Sequence, residues 1–253
     1  MRIRQSTPYL SSMIEDCAAG RMQPAAMQRP YVWIKDDVES LCDSILSNFP
    51  IGGFVLWEPG NKADLNKVSK GRLGPLTGPK EGDRGAVGLL LDGQNRMATL
   101  AWMMVRDFAG LPLFEGMSTE ESSTWLAGQR LVLDSKEQRM MFVPAEEADV
   151  GFRLPAWSLL PFCDSGNHTI NQLLRQRWNE WEKAGADSAE IEAFIKLHDQ
   201  CTNAFRNAQT VVTLIENATA EEARNAFLRV CRVGVQMSQE DFDKAVNWTP
   251  DAA

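Results

Sequence analysis

Residues 89 to 100 read LLLDGQNRMATL, and no other stretch limits the possible folds as tightly. Three consecutive leucines fit a strand whose two faces are both covered. After Gly93, apolar side chains at Met97, Leu100, Ala101, Met104, Val105 and Phe108 follow the helical period. A strand must therefore pass into a helix with almost no loop. The first turn of such a helix carries unpaired N–H groups and the positive end of the helix dipole, so the junction can receive an anion. A glycine there lets a ligand approach the backbone.

The dipole contributes only about 0.3–1 kcal/mol, whereas micromolar binding needs about 8 kcal/mol. Side chains must supply the difference. Arg96 can grip phosphate oxygens with its fork of donors, Gln94 and Asn95 can bond phosphate, sugar or base, and Asp92 can hold a metal-bound water or a neighbouring arginine. The plain structural alternative is that Asp92 and Asn95 cap the helix while Arg96 lies on the surface. If Arg96 is a binding residue at an exposed helix start, its replacement by Ala should abolish binding with little loss of fold.

The rest of the chain sets this unit in an α+β frame, with a mixed α/β half over residues 1–150 and a mostly helical half over 151–253. Pro8, the spacing of Leu10, Met13, Ile14 and Cys17, and Gly20 mark a first helix. Residues 22–33 (MQPAAMQRPYVW) carry two prolines and should be extended. A second helix opens at Asp36 and stops before Pro50. Strands are expected over 51–57, 87–91, 130–134, 139–143 and 210–215, and later helices over about 169–183, 188–208, 219–231 and 238–246. Thr219 with Glu222, and Ser238 with Asp241, have the spacing of capping boxes.

With 253 residues, 44% of them hydrophobic, the chain can bury a substantial core. No apolar run approaches a membrane span and no secretion signal follows the start, so a cytoplasmic protein without a membrane anchor is expected. Five scattered cysteines without a Cys-x-x-Cys pair suggest reduced, buried thiols, and only two histidines argue against a zinc site. A formal charge of -8 disfavours a free-standing DNA clamp, since phosphate contacts need a basic face. The basic stretch around Lys62 to Arg84 reads as a solvated loop. His198 is expected at a surface or boundary, His168 at a turn. Trp178 and Trp181 are expected in a core or interface rather than in a stacking platform.

Upstream of the junction stand Gln28-Arg29-Pro30-Tyr31-Val32-Trp33, then Asp43-Ser-Ile-Leu46, then Pro50-Ile-Gly-Gly53. In this order, with a DGQxR box entering a helix, the chain resembles the N-terminal domain of the GmrSD-type restriction proteins and of SspE, distant relatives of ParB and sulfiredoxin. That family's usual box is DGQQRLTTL. Near the C-terminus, Phe227 to Asp241 is similar to the family's F-x-R-x-N-x-G-G-x-x-L-S-x-x-D, with Cys231 in place of Asn and Val233 in place of the first glycine.

The resemblance implies a ParB-like nucleotide pocket, with nucleoside triphosphate (NTP) hydrolysis, Mg as a cofactor option, coupled to control of a nuclease in phage defence. In that reading Asp92, Gln94 and Arg96 do the chemistry, while Gln28, Arg29, Tyr31, Gly93 and Asn95 line the pocket. No residue offers itself as a general base. The sequence carries no HNH motif, so an HNH-type nuclease is expected as a partner subunit. A homodimer is compatible with the reading, and DNA contact should be weak or indirect. A non-hydrolysing nucleotide- or protein-binding module is the principal alternative.

Overall fold

The first strand is one that hydropathy does not reveal. The computed structural model describes residues 1–25, 30–60, 73, 88–106, 112–114, 116–160 and 166–232. In it β1 (Arg2–Ser6) is exposed at every position. Its backbone pairs antiparallel with β8 (Val212–Ala218), and Arg2 and Arg4 both reach Glu216 on that strand. Next come α1 (Leu10–Ala18), β2 (Met22–Pro24), α2 (Lys35–Leu46), β3 (Phe54–Pro59), β4 (Gly88–Asp92) and α3 (Gln94–Met103). The chain continues through α4 (Thr119–Leu126), β5 (Gln129–Asp134), β6 (Arg139–Pro144) and β7 (Arg153–Pro155). It then runs through α5 (Gly166–Lys183), α6 (Ser188–Asn207), β8 and α7 (Ala220–Arg232).

Five strands form a mixed sheet in the order β1-β8-β3-β4-β2. β8 runs parallel to β3, β3 antiparallel to β4, and β4 parallel to β2. Residues from both sides of position 150 thus share one sheet, with β8 inserted between β1 and β3. The main core does the same, joining Leu10, Leu90 and Met97 with Phe194, Phe205 and Val212.

The triple leucine of β4 divides between two cores. Leu90 faces the main cluster, while Leu89 and Leu91 face a smaller one with Val55, Trp57, Ile215 and Ala223, where Phe227 of α7 packs. Both faces of β4 are therefore covered, as a continuous apolar run requires. α7 is fixed at its start by the expected reciprocal cap, in which the Glu222 amide donates to Thr219 Oγ1 and the Thr219 amide to the Glu222 carboxylate.

A separate antiparallel sheet, β6-β5-β7, closes the middle of the chain. Asp134, at the end of β5, is buried and accepts hydrogen bonds from Arg153 Nε at 2.6 Å and from the amides of Lys136 and Glu137. Two expectations need correction. The strand expected from Ile51 begins at Phe54, and His198 is buried rather than peripheral. Its Nε2 lies 3.2 Å from the Ser158 carbonyl oxygen, and burial pulls its pKa down. The expected helix over 238–246 and the basic stretch from Lys62 to Arg72 and from Lys80 to Arg84 lie outside the described residues.

Candidate functional site

The junction forms as its sequence suggests. β4 ends at Asp92, Gly93 adopts φ 90°, and α3 begins at Gln94. Glycine is required here twice over: the left-handed φ strains any L side chain, and a Cβ would run into the Phe54 ring. The β3–β4 pairing shifts register between Val55 and Leu56, opposite the end of β4, which lets β3 turn away beside the junction.

Arg96 departs from the expectation of a replaceable surface residue. Its side chain is only 16% exposed. Nη1 donates to the Ile51 carbonyl at 2.5 Å and Nη2 to the Gly53 carbonyl at 2.7 Å, so the guanidinium holds the Pro50–Gly53 loop. The guanidinium carbon also lies 4.7 Å from the centre of the Phe54 ring. Gly52, at φ 81°, has no room for a side chain because Arg96 Nη1 occupies the space. From the far side, Thr210 Oγ1 donates to the Gly52 carbonyl at 2.8 Å.

The charge of Arg96 is poorly matched. Its nearest carboxylate among the described residues, Asp92, is 3.7 Å away and itself 45% exposed. Burial accordingly pulls the Arg96 pKa down, with Asp92 opposing only in part. Two of the five guanidinium donors serve the loop, and the remaining positive charge is met among the described residues only by the half-exposed Asp92.

Gln94, in the first turn of α3, is 6% exposed, and its Oε1 meets no donor among the described residues. A buried amide oxygen without a partner costs about 1–3 kcal/mol. Asn95 is half-buried beside it. Tyr31, expected to line the pocket, sits in the core: its hydroxyl is 2.8 Å from Thr99 Oγ1, and its ring stacks on Phe114 at 3.5 Å. Burial raises its pKa, the Thr99 hydrogen bond opposing.

Gln28 and Arg29 lie outside the described residues. The positions that flank them attach to both halves of the junction. The Ala25 amide donates to Leu90 of β4, and Tyr31 bonds Thr99 of α3. Cys231 and Val233 likewise lie outside what can be described in side-chain terms, whereas Cys17, Cys42 and Cys201 are buried free thiols. Burial pushes the Cys201 thiol up to about 11.

In the sequence, Pro50-Ile-Gly-Gly53 has no identifiable partner. Its role as the acceptor of Arg96 depends on carbonyl oxygens, which every residue has. The usable signal was the glycine pair itself, since Gly52 needs the left-handed region.

The chain matches the family model of the GmrSD restriction endonuclease N-terminal domain over residues 12–247, and it belongs to that family. No curated protein matches it. Among the described residues, no helix is long and apolar enough to cross a membrane, and no group of three or more His, Cys, Asp or Glu side chains could hold a metal ion.

Proposed function

We propose that this chain is the NTP-binding component of a restriction system directed against phage DNA. In this reading it hydrolyses the nucleotide and thereby controls a nuclease partner with an HNH-type domain. The observation that carries the reading is the buried amide oxygen of Gln94, without a donor among the described residues, at a helix start two residues from the partly neutralised guanidinium of Arg96. A phosphorylated ligand supplies what that arrangement lacks: negative charge for Arg96 and the α3 dipole, and a hydroxyl or N–H donor for Gln94 Oε1. The two orientations of a carboxamide have the same shape, so the position can equally donate an N–H to a phosphate oxygen.

In the proposed mechanism the amides at Gly93 and Gln94 and the Arg96 guanidinium stabilise charge developing on the transferred phosphoryl group. Asp92 orients the attacking water. In this proposal Asn95, Gln28 and Arg29 complete the pocket. Tyr31 acts through Thr99 as a positioning residue. Mg fits this site only in company with the ligand, because Asp92 is its single carboxylate among the described residues and Mg is usually shared between one or two carboxylates and substrate phosphates.

One observation favours a second reading, a nucleotide-binding switch without turnover. Arg96 already holds the Ile51 and Gly53 carbonyls, which leaves fewer donors for a transition state. The deciding experiment measures binding of ATP, GTP, CTP and UTP with magnesium by calorimetry, and turnover by release of labelled phosphate. Binding with turnover that is lost in Gln94→Ala supports the enzyme. Binding without turnover supports the switch, and no binding of any of the four removes both. DNA contact, weak or indirect in this proposal, should show no steep salt-dependent affinity.

A further inference from the structure

We infer a second small-molecule site at the opposite end of α3, built for a planar ring that carries a negative charge. A cavity of about 420 Å³ opens where the end of α3 meets β5 and the short turn after β7. That volume lies within the range of about 300–1,000 Å³ typical of ligand sites. Its walls include Trp102 and Trp157, with Leu131 behind them, and Arg106 and Arg130 stand at the cavity.

The Arg106 guanidinium already stacks over Trp157, 4.8 Å from the ring centre. Guanidinium and aromatic planes can each stack a further flat ring. Arg130 supplies the second charge. Both arginines are exposed, and neither is paired with a carboxylate among the described residues. In a chain of formal charge -8, two unpaired arginines at one aromatic-walled cavity form a local positive site.

The apolar walls explain why a bare anion is not the match. An inorganic ion would leave the apolar wall beside the half-buried Trp157 wet, whereas a ring covers it and brings its charged group to the arginines. Two sources share this chemistry: a nucleoside monophosphate and an aromatic carboxylate. The site is distinct from the Asp92–Arg96 junction, because α3 spans ten residues, about 15 Å, between them.

The test is calorimetric titration of the full chain with AMP, 1-naphthoate, adenosine and inorganic phosphate, each against the natural protein, the double variant Arg106→Ala/Arg130→Ala, and Gln94→Ala. We expect AMP or 1-naphthoate to bind and to lose roughly tenfold or more in affinity in the double variant, while Gln94→Ala leaves it unchanged. Adenosine and phosphate should each bind at least about tenfold more weakly than the preferred compound. AMP alone binding identifies a nucleotide source, and 1-naphthoate alone an aromatic acid. Because both arginines are exposed, the double variant should melt within about 2 °C of the natural protein. The proposal is overturned if neither compound binds, if the double variant binds both equally well, if phosphate alone binds as tightly as AMP, or if Gln94→Ala and not the double variant removes the binding.

Discussion

Arg96 and Arg153 are both mostly buried arginines at the margin of a sheet, and their surroundings treat the charge in opposite ways. Arg153 meets Asp134 at 2.6 Å, with Glu147 close by, and that hydrogen-bonded carboxylate raises its pKa despite burial. Arg96 meets two carbonyl oxygens and a carboxylate 3.7 Å away, and burial lowers its pKa. Carbonyls satisfy donors without cancelling charge. A neutralised guanidinium pins a structure, whereas an under-neutralised one remains attractive to an anion. The three-stranded sheet therefore carries a staple, and the five-stranded sheet carries the proposed site.

The largest effect should come from breaking the staple. Arg153→Ala would strand the buried Asp134 carboxylate and cost about 3–5 kcal/mol, a fall in melting temperature of roughly 10 °C. Nucleotide binding at the junction should be unchanged, and a parallel loss of binding would collapse the contrast. The same pair has an acid signature. Burial pulls the Asp134 pKa up, but hydrogen bonds from Arg153 and the amides of Glu137 and Lys136 more than offset it. Its stabilisation is thus complete above the unfolded pKa of about 4 and is lost as pH falls through the lower folded value. Denaturant melts at falling pH on the natural protein and Asp134→Asn would show it.

Next comes Gly93→Ala, which combines a left-handed φ with a clash against Phe54 and should cost about 2–4 kcal/mol. Gly128, also at positive φ but with open space around its Cβ position, is the control and should cost only about 1 kcal/mol as alanine. Equal losses at the two positions would show that packing against Phe54 contributes nothing.

Arg96→Ala sharpens the comparison directly. Removing two charge-assisted hydrogen bonds to the loop should cost about 2 kcal/mol, less than Arg153→Ala, yet NTP affinity should fall by roughly tenfold or more. Arg96→Lys keeps the charge and loses the fork, so it should recover part of the affinity but not the loop's rigidity, read as faster amide exchange at Gly52 and Gly53. A variant that loses stability and keeps full affinity would make Arg96 purely structural.

The smallest effect is expected at His198. Its folded pKa is lowered by burial, which outweighs the Ser158 carbonyl and Asp199. The neutral form is therefore favoured in the fold, and stability should be fully present above about pH 6.5 and decline as pH falls below it. In His198→Gln that part of the pH dependence should flatten when urea midpoints are compared at about pH 7 and pH 5. An unchanged slope would place the titration elsewhere.

Where the signal was local, the sequence was enough. The leucine run, Gly93 and the apolar spacing after it specified β4 and α3, because strand burial, left-handed φ and helical period are each written within a few neighbouring residues. The Thr219–Glu222 cap was legible for the same reason. Strand β1 was not: Arg-Ile-Arg-Gln-Ser has no alternation of buried positions and becomes a strand only because β8 offers its backbone. Tyr31 read as a site residue through the company it keeps in sequence, yet Phe114 and Thr99, distant in the chain, drew it into the core. By itself the sequence determined that a strand must turn sharply into a helix at Gly93. Only the tertiary structure decided that Arg96 would spend two donors on Ile51 and Gly53 and keep its charge, because carbonyl partners carry no residue signature and burial is a property of the whole packed chain.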